Sequence, residues 1–349
     1  MFDVKFEIDV FHAMREVDPA VWDAVNTRPF TSWHWNRFCE NLYPDDQPLY
    51  ILLSHHGEPV ATAAFWFIRR EILPPLPIVM RYGVEALLQR WPLLVCRAPV
   101  ANVSGLTLPS SPLYGAALRA LVDAVQAYIS EQGGVSFLLF DYLDAQQAQS
   151  ERWANRYSFI DFSEPGTYLD LPHPDFDSYV QQLGKSARKD FRRHTNRASD
   201  AGIEIKAHDA IVGANEARPL IRNVESHHGS TPNPLTDGLL NGSFADLDAV
   251  WLTAEQNGQM IGCGLLIGER GAKFLTLLGL DYDVKYTYFQ LMYAAIRHAI
   301  ESDTQRLYGG SGAYELKQRL GFQLKEDRYS AFTTRIPLLG KLARNLVSN

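Results

Sequence analysis

Hydrophobic and polar positions along the chain fall into one ordered series twice. Near the start, "LYILLSHHGEPVATAAFWFIRR" (49–70) reads as a strand, a turn at Gly57 and a second strand of small and aromatic residues. Further on, "AVWLTAEQNGQMIGCGLLIGER" (249–270) repeats the pattern around Asn257-Gly258, a strong hairpin signal. With one residue inserted at the turn, Ile51 matches Trp251, Val60 matches Ile261 and Ala63 matches Gly264. A helix follows each hairpin. In "LYGAALRALVDAVQAYISEQG" the apolar positions are 118, 121, 122, 125 and 129, and in "YFQLMYAAIRHAIESD" they are 289, 292, 293, 296 and 300. Steps of three and four place each set on one helix face. A strand comes next ("VSFLLFDYL" and "QRLYGG"), then a short helix closed by Phe159 or Phe322 ("ERWANRYSF" and "YELKQRLGF"), then a further strand. A repeat of this length predicts two structurally similar α/β domains.

Between the halves, "TYLDL" reads as a strand and "HPDFDSYVQQL" as a helix opened by proline and aspartates. After a break at Gly184, "LGKSARKDFRRHTNRA" (183–198) reads as a helix and "GIEIKAHD" as a strand. The opening "MFDVKFEIDV" alternates like a strand. Residues 71–113 carry "ILPPLPIVM", "WPLLVCRAPV" and "LTLPSSP", a proline density that predicts a long covering loop rather than a helix or central strand. The domain reading is therefore 1–164, 165–334, and a basic amphipathic tail, "RIPLLGKLARNLVSN" (335–349). The tail either packs on the domain or makes peripheral contact with a membrane surface, and packing is preferred.

Composition narrows the class. The 349 residues are 46% hydrophobic, 12% aromatic and 21% charged, which suits a globular chain with a substantial core and room for two domains. Three isolated cysteines, Cys39, Cys96 and Cys263, support neither a zinc site nor a disulfide framework and point to a reducing compartment. The start has no signal-peptide pattern, and no apolar run is long enough to span a membrane, so a cytoplasmic protein is expected. No metal-ligand set is visible. A net charge of −7 argues against duplex DNA as a partner. Against that balance, 183–198 gathers Lys185, Arg188, Lys189, Arg192, Arg193 and Arg197 around a stripe of Leu183, Ala187, Phe191 and Ala198, with Asp190 as the one acid. Like charges four apart cost a helix a few tenths of a kcal/mol per pair (roughly 0.2–0.5). The cations form either a solvated face or a docking surface for phosphates.

Particular residues carry a family resemblance. They are Ser186-Ala187-Arg188-Lys189 with Arg192 and Arg193, Ala201-Gly202-Ile203 before a strand, the hairpin at Gly258, "LLGLDYD" (277–283) and "SGAYELKQRLGF" (311–322). Together with the element order they resemble the Fem-type aminoacyltransferases and related GNAT-like N-acyltransferases. The resemblance implies an α/β fold of two tandem GNAT-like domains, each a mixed, mostly antiparallel sheet flanked by helices, the first degenerate. It also implies an N-acyltransferase that moves an acyl or aminoacyl group from acyl-CoA or aminoacyl-tRNA, as co-substrate, to a primary amine on a small molecule or peptide. No tightly bound cofactor is implied. One alternative is a Fem-like, tRNA-dependent enzyme acting on a peptidoglycan precursor or a peptide of specialised metabolism. A second is a non-catalytic module that binds an anion or a partner.

Acyl transfer to an amine requires a base, alignment of the reactants and stabilisation of an oxyanion, but no covalent nucleophile. The base candidates are Asp281, where a central strand should end, and Glu225 and His228 in the loop "ESHHGSTPNPLT". Substrate-binding candidates are Ser186, Arg188, Lys189, Arg192 and Arg193 on the cationic helix, together with His227 and Tyr288. Ser311, Tyr314, Glu315 and Lys317 join them from the aromatic–lysine segment. Asp281 equally suits a turn, Lys317 an exposed helix surface, and Cys263 the core. One departure matters. CoA-dependent GNAT enzymes carry an Arg/Gln-x-x-Gly-x-Gly/Ala turn that wraps the pyrophosphate at a helix N-terminus. The corresponding "DYDVKYTYFQLM" has no glycine, which favours the tRNA donor.

Overall fold

The computed structural model describes residues 4–43, 48–72, 77–110, 112–132, 137–149, 158–161, 165–244, 246–326 and 329–334. The chain forms two compact units, one of Met1–Glu71, Leu76–Glu164 and the chain from Glu326 on, the other of Pro165–Lys325 with the short segment Ile72–Pro75. In chain order the first unit contains β1 (Glu7–Phe11), α1 (Pro19–Val25), α2 (Trp33–Glu40), β2 (Leu49–His55), β3 (Glu58–Ile68) and α3 (Ile78–Arg90). It continues with β4 (Leu93–Ala98), β5 (Val103–Ser104), β6 (Leu106–Thr107), α4 (Tyr114–Gln132), β7 (Phe137–Leu143), α5 (Ala145–Ala148) and β8 (Ser158–Asp161). The second contains β9 (Thr167–Asp170), α6 (Phe176–Gln182), α7 (Lys185–Asp200), β10 (Ile203–His208), α8 (Ala214–His227) and α9 (Thr236–Asn241). It ends with β11 (Asp248–Gln256), β12 (Gln259–Glu269), β13 (Ala272–Leu280), α10 (Thr287–Glu301), β14 (Arg306–Gly310), α11 (Tyr314–Arg319) and β15 (Gln323–Leu324). Strand β16 (Tyr329–Thr334) follows.

The duplicated pattern folds twice into the same arrangement. β2 and β3 are joined through His56 (φ 54°) and Gly57 (φ 81°), β11 and β12 through Asn257 (φ 53°) and Gly258 (φ 75°). Two successive left-handed residues match the right-handed twist of the flanking strands, which is why a glycine ends both turns. The sheet orders are β1-β2-β3-β4-β7-β16-β8 and β10-β11-β12-β13-β14-β9-β15. In each sheet four antiparallel strands lead to one parallel pair, β4 with β7 and β13 with β14. The crossovers are α4 and α10, and both bury the anticipated face: Leu118, Leu121, Val122 and Val125 in one, Met292 and Ile296 in the other.

In the second unit the sheet lies between helices. α10 packs on one face, where a Cβ on Gly262 would meet Thr287 Cγ2 at 2.6 Å and Leu291 Cδ1 at 3.1 Å. α8 packs on the other, where a Cβ on Gly279 would meet Cys263 Sγ at 2.6 Å and Ile221 N at 3.0 Å. Cys263 is buried at this contact, and burial pushes its thiol up to about 12. Bare backbone at both glycines lets the helices seat closely on the strands that lead to the site.

Two expectations are corrected. Residues 71–113 do not form a covering loop: they contain the thirteen-residue helix α3 and the central strand β4, paired with β3 and β7. The prolines sit at boundaries, Pro77 as the N-cap of α3 and Pro92 just before β4, where a missing N–H costs little. Averaging proline over 43 positions (71–113) hid the proline-free stretch between them. Strand β16 does not close the second sheet. It pairs antiparallel with β7 and β8, and the matching place beside β14 is taken by β9. The C-terminal boundary of the second unit therefore falls at Lys325 rather than 334. Strand propensity gives a strand but not its sheet. The expected helix "ERWANRYSF" falls largely on 151–157, and the tail is 335–349; both lie outside the described residues. Among the described residues no helix is long and apolar enough to cross a membrane.

Candidate functional site

The parallel pair of the second unit parts early. Its ladder runs from Ala272↔Arg306 to Phe274↔Tyr308, while β13 continues to Leu280. Bulges in the flanking pairings, at Leu265/Leu266 and at Tyr308/Gly310, bend both strands. The carbonyls at the end of β14 therefore need other partners. Lys317 supplies them: its Nζ donates to Gly309 O at 2.7 Å, Ser311 O at 3.1 Å and Gly310 O at 3.3 Å. Thr167 Oγ1 adds a bond to Gly310 O at 2.8 Å. Lys317 is only 5% exposed, so the exposed-helix reading of this lysine fails. Burial pushes its ammonium down to about 8. Tyr314 anchors the same segment by donating to Pro165 O at 3.0 Å, while Ser311 and Glu315 are exposed.

At the end of β13, Asp281 N donates to Ile261 O at 2.9 Å, and Asp281 Oδ1 accepts from Asp283 N at 2.9 Å. Asp281 is thus a turn aspartate, with Oδ2 left without a partner among the described residues. His227 closes α8 and stacks on the exposed Tyr282 at 4.3 Å. Asn223 Nδ2 ties that helix end to Leu280 O at 3.3 Å. His228 is exposed, its ring 5.4 Å from His227. Glu225 has both oxygens engaged, accepting from Arg222 Nη1 at 2.6 Å and Asn233 N at 2.8 Å. These bonds tie the end of α8 to the loop that follows it. The hydroxyl of Tyr288 is buried with no hydrogen-bond partner among the described residues. Burial, and secondarily Tyr282, push its pKa up.

Because β13 and β14 are parallel, Asp281 and Tyr282, with His227 and Tyr288 beside them, follow the carboxyl end of one strand, and Ser311, Tyr314 and Lys317 follow the carboxyl end of the other. The carboxyl ends of parallel strands are where α/β folds bind ligands. Tyr282 was not singled out in the sequence, although it stands inside "LLGLDYD". Among the described residues no cluster of three or more His, Cys, Asp or Glu is placed to hold a metal ion.

The cationic helix α7 runs antiparallel along α10. Arg197 Nη1 donates to Tyr286 Oη at 2.8 Å, His194 stacks on Phe289 at 3.9 Å, and Phe191 meets Tyr293 edge-on at 4.8 Å. The apolar stripe is buried or half-buried as anticipated, and His194 joins it. Three residues after Phe191 and four before Ala198, its spacing was the available signal. Its ring bonds Tyr293 Oη at 3.2 Å; burial first, then the Arg193 charge, lower its pKa.

The six cations divide into separate jobs. Arg188 Nη1 donates to the carbonyls of Gln181 and Leu183, both at 2.7 Å, and so closes the end of α6. Arg193 pairs with Asp190 at 2.7 Å. Arg197 restrains Tyr286, which occupies a left-handed conformation (φ 76°) as the N-cap of α10. Lys185, Lys189 and Arg192 are exposed and unpaired among the described residues, with Ser186 beside them. Arg188→Gln should therefore lower stability by about 1–2 kcal/mol through the lost charged hydrogen bonds. Lys189→Gln with Arg192→Gln should change it by less than about 0.5 kcal/mol, as surface substitutions do. Urea unfolding of the two variants checks this division; equal losses would refute it.

The first unit closes the corresponding place. Its parallel ladder runs from Leu93↔Phe137 to Cys96↔Phe140 and is followed by Arg97 and Asp141. Buried Asp141 accepts from Ser330 Oγ at 2.7 Å and Tyr142 N at 3.0 Å, and faces Arg97 Nη1 at 3.6 Å. Arg97 also pairs with Glu71. Charged side chains fill the spot that glycine backbone occupies in the second unit.

Comparison with known proteins points to one family. The FemAB-like family model, described as peptidoglycan biosynthesis/recognition, matches residues 83–347. A search of curated proteins finds no match. Among solved structures, FemX superposes with a TM-score of 0.65 at 11% identity, covering 96% of this chain and 99% of that one. A tandem GNAT protein from the clavulanic acid biosynthesis pathway gives 0.55 at 12%, covering 95% and 98%. L-PGS from Bacillus licheniformis gives 0.54 at 12%, again covering 95% and 98%. At these identities the likeness is one of fold.

Proposed function

The chain belongs to the FemAB-like family, acyl- and aminoacyl-transferases of double GNAT fold, and from that premise we propose that it transfers an aminoacyl group from tRNA to a primary amine of a peptidoglycan precursor. The observation that carries this reading is the parted parallel pair, with polar side chains gathered at both strand ends. The amine attacks the ester carbonyl, a C–N bond forms, and the C–O bond to the tRNA ribose breaks. The proton lost by the amine passes to the leaving oxygen. In this reading Asp281 Oδ2, without a partner among the described residues, or the imidazole of His227 accepts it, while the carboxylate of Glu225 holds its loop. Backbone N–H groups along the stretch of β13 that leaves β14 supply donors for the oxyanion. Lys317 keeps the facing loop fixed, and the Tyr288 hydroxyl offers a desolvated donor to the substrate.

Two features support tRNA over CoA. The turn before α10 carries Tyr286 where a pyrophosphate turn has glycine, and Arg197 tethers its side chain. Lys185, Lys189 and Arg192 form a free cationic face suited to a phosphodiester chain, whose binding weakens steeply with salt. Tyr288→Phe tests the site directly. It removes a buried unpaired hydroxyl, so stability should hold or rise by up to about 1 kcal/mol. The single-turnover transfer rate should fall at least tenfold (about 1.4 kcal/mol). An unchanged rate would remove Tyr288 from the site. Consumption of acyl-CoA with no consumption of aminoacyl-tRNA would overturn the donor assignment.

A further inference from the structure

Helix α3 is a solvent-facing helix with an apolar tip. Ile78, Val79, Met80 and Tyr82 are all exposed, Val79 by 79%, and Leu88 is the one buried residue of the helix. Neighbouring helical residues stand about 100° apart, so positions 78, 79, 80 and 82 cover about 200° of the circumference. A helix laid in a protein groove presents a stripe about 100° wide. An apolar surface twice that width suits a medium that closes around the tip from several sides.

The charges nearby agree. Residues 69–91 contain Arg69, Arg70, Arg81 and Arg90 against Glu71 and Glu85, in a chain of net charge −7. Both acids are already paired, Glu71 with Arg97 and Glu85 with Arg81 at 3.8 Å. Arg81 and Arg90 lie over the rings of Tyr82 and Trp91, at 5.5 and 5.7 Å. Arginine and amphipathic aromatic rings around an apolar tip suit the interface of an anionic bilayer, where cations meet lipid phosphates and rings sit at headgroup depth. The helix is also held firmly at its far end, where Arg69 Nη1 donates to Gln89 O and Gln89 Nε2 donates to Arg69 O, both at 3.1 Å.

We propose that α3 docks the protein on an anionic membrane surface, its first turn inserted among the lipid headgroups. The proposal does not depend on which donor or acceptor the site uses. The test is co-sedimentation of the full chain with vesicles of phosphatidylcholine and phosphatidylglycerol, against vesicles of phosphatidylcholine alone. The wild type should sediment with the anionic vesicles and much less with the neutral ones. Ile78→Ser, Val79→Ser and Met80→Ser together should weaken partitioning at least tenfold, with circular dichroism unchanged because all three side chains are exposed. Wild type remaining in the supernatant would overturn the proposal, as would a triple variant that sediments like wild type. Loss of binding on deleting 336–349 while the triple substitution has no effect would assign the contact to the tail instead. A wild-type dimer that ignores vesicles and that the triple substitution splits would make α3 a self-association surface, again overturning the proposal.

Discussion

Lys317→Met should lower stability by about 2–4 kcal/mol, because it takes the donor from the buried Gly309 carbonyl and from the part-buried carbonyls of Gly310 and Ser311, of which Gly310 keeps the Thr167 hydroxyl. The same change should slow transfer by about a hundredfold, the scale on which a misplaced catalytic loop acts. The ammonium of Lys317 stands in for the ladder that β13 and β14 do not complete, so its loss frees the Gly309–Ser311 segment. The pH dependence has a defined sign. Burial lowers the folded pKa from 10.5 to about 8, so between those values the unfolded chain binds more protons than the folded one. Wild-type stability then rises with pH across that window, and the penalty for burying the charge is fully present below it. The advantage of wild type over Lys317→Met, measured by urea unfolding, should therefore widen from about pH 8 to about pH 10. A narrowing gap would mean that the carbonyls hold the ammonium more strongly than burial penalises it.

Arg97→Met should be still more costly, about 3–5 kcal/mol, because it leaves Asp141 as an uncompensated buried charge. Burial already raises the Asp141 pKa, against the lowering effects of Arg97 and of the Ser330 hydrogen bond. A raised carboxyl pKa means that the folded chain binds more protons above the ordinary value of 3.8, so stability falls as pH rises through that window. Removing Arg97 extends the window upward. The deficit of Arg97→Met should be smallest in acid and grow towards neutral pH, and adding Asp141→Asn should recover much of it. Because this network fills the first unit's equivalent of the site, transfer per folded molecule should be unchanged. Loss of activity in the folded variant would place part of the chemistry in the first unit.

Periodicity makes the duplicated hairpins and the buried faces of α4 and α10 readable in the sequence, because both follow from local spacing and turn chemistry. Helix α3 was obscured for a physical reason: proline punctuates its ends, and density over a long window does not separate a boundary from an interior. The exchange of β9 and β16 between sheets was not legible, since a strand pattern carries no information on its partner. Residue types and strand ends single out Asp281, His227, Tyr288 and Lys317 as candidates. Roles depended on tertiary partners. Glu225 and Arg188 read as chemistry in the sequence, yet their hydrogen bonds commit them to a loop and a helix end. His194 escaped notice because it lies among charges in sequence, although it faces the core in space.

The most direct test is the mass of an amine-bearing peptidoglycan precursor after incubation with charged tRNA and enzyme. The precursor should gain one aminoacyl residue with wild type and with folded Arg97→Met, and gain it at least tenfold (about 1.4 kcal/mol) more slowly with Tyr288→Phe. An unchanged precursor mass with charged tRNA, or equal rates for wild type and Tyr288→Phe, would contradict transfer at the parted strands of the second unit.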